Sequence, residues 1–239
     1  MLWYKAWLET RTRFLVSLGF LVIILTFFVH HAESILPREP KASTYELMFF
    51  AHSYLAGLWM LCVILLGMGG LLRERAAGVS SFTLALPVSR ARLAAVRITV
   101  GVMQSIALAI VPWAAILFVS AIAGRPFFVS QASFYVLLLV TGGMVYFALA
   151  ILVSSIVDGE YTAPAVAYGA AILVGIICGS VSKLRPFLDL WRFITGDNHY
   201  NKTTHLLSGP IPWFGIFACL CVAALMFLAS VRVIQRREF

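Results

Sequence analysis

This sequence predicts an all-α integral membrane protein, on three observations. Of its 239 residues 62% are hydrophobic and 12% charged, and the mean hydropathy is +0.95, whereas soluble domains are about half apolar and about a quarter charged. The apolar residues gather into six runs, each about 17 residues or longer, which at 1.5 Å per residue approaches the hydrocarbon thickness. The basic residues flank these runs instead of forming a stripe with interleaved aromatics, so the net charge of +8 reads as a topology signal. It is not a nucleic-acid footprint. Residues 1–239 form a single membrane domain; the longest polar interruption, Ser182 to Pro210, is too short to fold alone.

Trp3, Tyr4, Trp7 and Leu8 share one face of an N-terminal helix, and Lys5, Glu9 and Arg13 share the other at i, i+4 spacing, so this segment is expected to lie in the interface. An opening so rich in aromatics does not fit a cleaved signal peptide, and the mature chain is expected to start at Met1. The spans follow at about 14–30, 47–72, 93–123, 133–157, 162–181 and 211–231. Pro112 predicts a kink in the outer half of the third. Six spans place both termini on one side. Eleven of the eighteen Lys and Arg residues fall in the terminal tails and the even-numbered loops, which makes that side, and both termini, cytoplasmic. The fourth loop, Asp158-Gly159-Glu160, carries no basic residue. In the fifth loop, on the outer side, Leu184, Phe187, Leu188, Trp191 and Ile194 recur at helical spacing and predict a second interfacial helix.

Between the second and third runs lies a stretch too polar to span, Arg73 to Leu93. As a helix from Arg73 to about Ala85 it sets Val79, Phe82 and Leu86 on one side, with Arg73, Glu74, Arg75, Ser80 and Ser81 elsewhere. Pro87 ends it and pushes Leu86 out of the helical region, so Leu86 to Ser89 forms a corner. Arg90, Arg92 and Arg97 then crowd the start of the next helix, where the macrodipole disfavours cations by roughly 0.3 to 1 kcal/mol each. Anionic headgroups and cytoplasmic retention, at about 1 kcal/mol per basic residue, outweigh that cost. A short amphipathic helix held against a membrane face is expected.

The run G-L-L-R-E-R-A-A-G-V-S-S-F-T-L-A-L-P-V-S-R, Gly70 to Arg90, resembles the cytoplasmic segment after the second span of ABC-2-type transporter permeases, with an acidic residue, a glycine and a helix closed by L-P-V-S-R. The segment W-Y-K-A-W-L-E-T-R-T-R-F, Trp3 to Phe14, is similar to their amphipathic elbow helix. The resemblance implies six transmembrane helices with that elbow and a cytoplasmic coupling helix. It also implies a transmembrane permease subunit of an ATP-driven exporter, served by two copies of a separate ABC ATPase subunit and a second permease subunit, in a homodimer. Arg73, Glu74, Arg75, Gly78, Val79, Phe82, Leu86 and Pro87 would form the ATPase-coupling element, and Ser53, Trp59 and Met60 would lie near the substrate pathway. Family members often carry a basic residue where the fourth loop here has none.

The residues add that no chemistry of its own is expected of this chain. The sequence has no phosphate loop, no H-E-x-x-H, no G-x-S-x-G and no paired carboxylates within a span. No catalytic residue, metal site or bound cofactor is expected, and ATP and Mg belong to the partner ATPase. Four cysteines in apolar stretches lack ligand spacing. His30, His31 and His52 fall near outer span ends. Gln104, with Ser105, is the strongly polar side chain far from a rim and needs a partner helix or a wet cavity. Ala167, Ala171, Gly175 and Gly179 recur every four residues, a stripe for close helix packing within the chain or across a dimer. The expected partners are the ATPase, a second permease and membrane lipid, in a bacterial inner (cytoplasmic) membrane. The alternative is a stand-alone ion-coupled carrier or intramembrane enzyme.

Overall fold

The computed structural model describes residues 2–31, 42–68, 89–124, 127–157, 162–180 and 189–236. These form seven helices: α1 (Leu2–His30), α2 (Ala42–Gly67), α3 (Arg90–Ile122), α4 (Val129–Ile156), α5 (Thr162–Ser180), the short α6 (Leu190–Thr195) and α7 (Trp213–Arg236). Among the described residues there is no strand, only one isolated bridge between Tyr200 and Leu207. Five helices, α1, α2 from Met48, α3, α4 and α7, are long and apolar enough to cross a membrane.

Helix α1 is one rod. The expected interfacial segment and the first span are continuous, because nothing between Trp3 and His30 breaks a helix. Ala6, Thr10, Phe14, Ser17, Leu21, Leu25 and Val29, at steps of three and four, form its buried seam. Helix α3 begins at Arg90, capped by Ser89, whose hydroxyl accepts from the Arg92 amide. It continues through Pro112 to Ile122.

Helix α4 lies at the centre and touches α2, α3, α5, α6 and α7, while α1 packs on α3 and α2. Its close neighbours are admitted by missing side chains. A Cβ at Gly143 would overlap the Trp59 ring of α2, and one at Gly142 would sit 2.5 Å from Ile194 of α6. Lower down, a Cβ at Gly67 would sit 2.7 Å from Ala150, and one at Gly101 of α3 would meet the Phe147 ring. Small residues at helix crossings let backbones approach where lipid supplies no hydrophobic drive. The outward surface is apolar, with Val16, Ile23, Phe118, Leu173, Ile176, Phe214 and Leu225 all exposed. A patch of that extent is untenable in water and suits lipid. The chain is an integral membrane protein.

Helix directions follow from the contacts. The Glu9–Arg97 pair joins the beginnings of α1 and α3; Arg13 Nη1 reaches the carbonyl of Met68, just past the end of α2, at 3.0 Å. Ser154 near the end of α4 donates to the Gly67 carbonyl, and Phe147 packs on Phe227 in the last half of α7. Lys5, Arg11, Arg13, Arg90, Arg92, Arg97, Arg232 and Arg236 therefore share one end of the bundle.

Gly143→Val is expected to cost about 1 to 3 kcal/mol by overpacking against Trp59, read as a lower thermal midpoint of the purified chain in mild detergent. Gly19→Val, where an added Cβ meets nothing within 4 Å, should leave the midpoint close to its original value.

Candidate functional site

At the basic end, three polar contacts tie the opening turns of α1 to its neighbours. Glu9 is paired with Lys5 on its own helix at 3.8 Å and with Arg97 of α3, and both Glu9 and Arg97 are partly shielded from solvent. Two turns further along α3 the Gln104 amide donates to Thr10 Oγ1 at 2.8 Å, and that hydroxyl donates to the Ala6 carbonyl at 3.1 Å. Arg13 holds the Met68 carbonyl, one of the orphan acceptors at the end of α2. Met68 and Ser89 are the described residues on either side of 69–88. The two flanks of that segment are thus fastened, through α1, to one another.

The expected coupling residues Arg73, Glu74, Arg75, Gly78, Val79, Phe82, Leu86 and Pro87 lie outside the described residues. The expected pathway residues fall at different interfaces. Trp59 and Met60 are buried, with Trp59 in the gap left by Gly143, and half-buried Ser53 donates to the Phe49 carbonyl. Gln104 faces α1, and its Oε1 has no partner among the described residues. Of the small-residue stripe, Ala167 and Ala171 are buried inside the chain, whereas a Cβ at Gly175 would meet nothing within 4 Å. Gly179 sits in the last turn of α5. No group of three or more metal-ligating side chains occurs among the described residues.

The opposite end is closed by α6 and the hairpin after it. Asp189 caps α6, accepting from the Arg192 amide, and Gly196 ends it with φ +73°. Arg192 bridges Asp189 and Asp197, each at 3.4 Å. The hairpin is pinned from α4 by Gln131, whose side-chain amide both donates to the Leu207 carbonyl and accepts from its N–H. From α2, Phe49 stacks on Tyr200 at 3.9 Å. The Tyr200 hydroxyl is hydrogen-bonded to His205 Nδ1 at 2.7 Å; burial, and after it the Glu46 carboxylate, holds that phenol above its ordinary range.

Beneath this cap His52, near the start of the second span, is fully buried. Its Nε2–H donates to the Ile194 carbonyl at 2.9 Å, and its ring lies 4.3 Å from Tyr135 and 5.7 Å from Trp113. His52 Nδ1, Trp59 Nε1 and Trp113 Nε1 are buried with no hydrogen-bond partner among the described residues. Each such atom costs about 1 to 3 kcal/mol. A histidine near the start of an apolar run was visible in the sequence; its partner, 142 positions along the chain, was not. Gly142 and Gly143 also escaped notice, although adjacent glycines in the middle of a long apolar run were a signal of close packing.

No protein-family model matches the sequence, and no curated protein is similar enough to align with it.

The clamp at the basic end is tested by a double-mutant cycle with Glu9→Gln and Arg97→Gln. A coupling of about 1 kcal/mol is expected in melts at low salt, shrinking as ionic strength rises.

Proposed function

We propose that the chain is the transmembrane permease subunit of an ATP-binding-cassette transporter of the ABC-2 type, an exporter whose ATP hydrolysis takes place on a separate ATPase. The observation that carries this reading is the clamp at the basic end. Glu9 with Arg97, Thr10 with Gln104, and Arg13 with the Met68 carbonyl bind α1, α2 and α3 into one body around the segment 69–88. A partner pressing on that segment moves three helices together. An isolated connector has no need of such bracing, and a coupling helix does.

Six spans fit this reading. Helix α4 ends, and α5 begins, near the basic end, while α6 sits at the capped end, which supports a crossing by α5. Nineteen residues in α5 extend about 28 Å, close to the hydrocarbon thickness. The basic cluster supports a cytoplasmic location for that end and for both termini, in a bacterial inner membrane. The opening turns of α1, with Trp3, Tyr4 and Trp7 exposed, act as the elbow in the lipid headgroups. Two ATPase copies, each holding ATP and Mg, and a second permease complete the transporter. The open side of α5 at Gly175 is the proposed contact between permeases.

The reading is tested by co-expressing the full chain with candidate ABC ATPases and purifying in mild detergent. A four-chain complex is expected, and a lone chain that transports overturns it. Phe82→Asp removes the largest apolar side chain of the proposed coupling face, whose burial in a partner is worth roughly 1.5 to 3 kcal/mol. It should weaken ATPase retention while the melting temperature of the lone subunit stays unchanged. Gly175→Leu is expected to leave the subunit's own melt unchanged and to reduce the dimer fraction on a sizing column.

A further inference from the structure

Helix α6 is unlike the other described helices. It is six residues long, too short to cross a membrane, yet Ile194 and Thr195 on it are buried. Its seat is made by two glycines on two helices. Gly142 of α4 admits Ile194 and Phe193, and a Cβ at Gly215 of α7 would sit 2.6 Å from the Phe193 ring, while Trp191 makes ordinary contact over Gly57 of α2. The fit is therefore one of shape, and its energy is dispersion and burial. The charges of α6 are spent locally, with Arg192 held by Asp189 and Asp197, and the Thr195 hydroxyl donates to the Trp191 carbonyl of its own helix. The polar bond that joins α6 to its seat is the one from His52 to the Ile194 carbonyl, near the end of the helix, where carbonyls lack partners within it.

Seating α6 has an opposing cost. His52 Nδ1 next to it, Trp113 Nε1 beyond the His52 ring and Trp59 Nε1 at Gly143 are buried with no hydrogen-bond partner among the described residues. Lifting α6 opens His52 to water and loses the packing of Ile194 and Phe193. Opposed terms of this kind make an element with two discrete positions. Gly196, at φ +73°, gives the chain a turn at the end of α6 about which to move.

We propose that α6 is a removable plug in the capped end of the bundle and that His52 is its latch. This goes beyond the proposed coupling to an ATPase, and it holds or fails whether or not the chain has such a partner.

The test reads the opening of α6 directly. In the full chain with Cys62, Cys178, Cys219 and Cys221 replaced by Ser, Thr195→Cys provides a thiol at a position 4% exposed. Its reaction with a membrane-impermeant maleimide is followed in sealed lipid vesicles. His52→Met keeps the volume and removes the donor; His52→Gln keeps both the volume and an N–H that reaches the carbonyl. The Met variant should label about tenfold faster than the Gln variant, the change in opening expected for one lost buried hydrogen bond, and the Gln variant should label like the His52 chain. Equal rates for Met and Gln overturn the latch. So does an equal rise at a thiol placed at Ser120, buried near the capped end of α3, since that would mean general loosening.

Discussion

Two adjacent residues of α4, Gly142 and Gly143, offer no side chain to their neighbours, and into the space they leave come Trp59 of α2 and Phe193 and Ile194 of α6. In a bilayer the tails are as apolar as the side chains, so helices gain little from simple burial and must gain from close contact. Large rings laid against bare backbone supply that contact. The central position of α4, the depth of α6 and the burial of His52 all depend on it. A side chain at either glycine would push α2 or α6 outward and separate His52 from the Ile194 carbonyl.

The two ends of the bundle are held by different physics. At the basic end the contacts are polar and charged, partly wet, and directed at the backbone or at other helices from α1. At the capped end they are aromatic stacks and shape fits, with Trp113 lying flat on Tyr135 at 5.2 Å and Phe49 flat on Tyr200. Charge pairs near water tolerate small shifts and respond to salt. Packed rings do not slide continuously; they are seated or unseated. One end is suited to transmitting a displacement and the other to switching between positions.

Much of this was legible in the sequence, and the boundary has a physical cause. The all-helical class and five apolar helices long enough to span followed from composition, because a span is defined by its own residues and the bilayer. The α3 start at Arg90 followed from Pro87 and the corner it imposes as far as Ser89, and of the partner helix or wet cavity expected for Gln104 the structure supplies the helix. The separation of an interfacial segment from the first span was not seen, since no breaker divides them and α1 continues as one helix. The burial of His52 was not seen for a different reason. Depth along a helix was judged from its own end, while α6 and the hairpin, arriving from residues 189–212, cover that end and make it interior. The Arg97–Glu9 pair was hidden for the same reason: the sequence paired Glu9 along its own helix with Lys5, a pair that the structure also contains, and gave no sign of a cation 88 positions away.

The unequal helix lengths have a consequence for the kind of membrane the protein tolerates. Helix α3 has 33 residues and is about 50 Å long, against about 30 Å for the apolar stretch Met48–Gly67 of α2. A hydrocarbon layer of about 30 Å cannot match both, so α3 must tilt or project beyond it. The hairpin with its irregular backbone stands between α2 and α4, held by Phe49 and Gln131, with Lys202, Thr203 and Thr204 exposed at its tip. Lipid tails rising around those residues would find N–H and C=O groups that they cannot satisfy. Bilayer thickness therefore has a ceiling set by the hairpin tip, and a thickening membrane bears first on the cap and only afterwards on the helices.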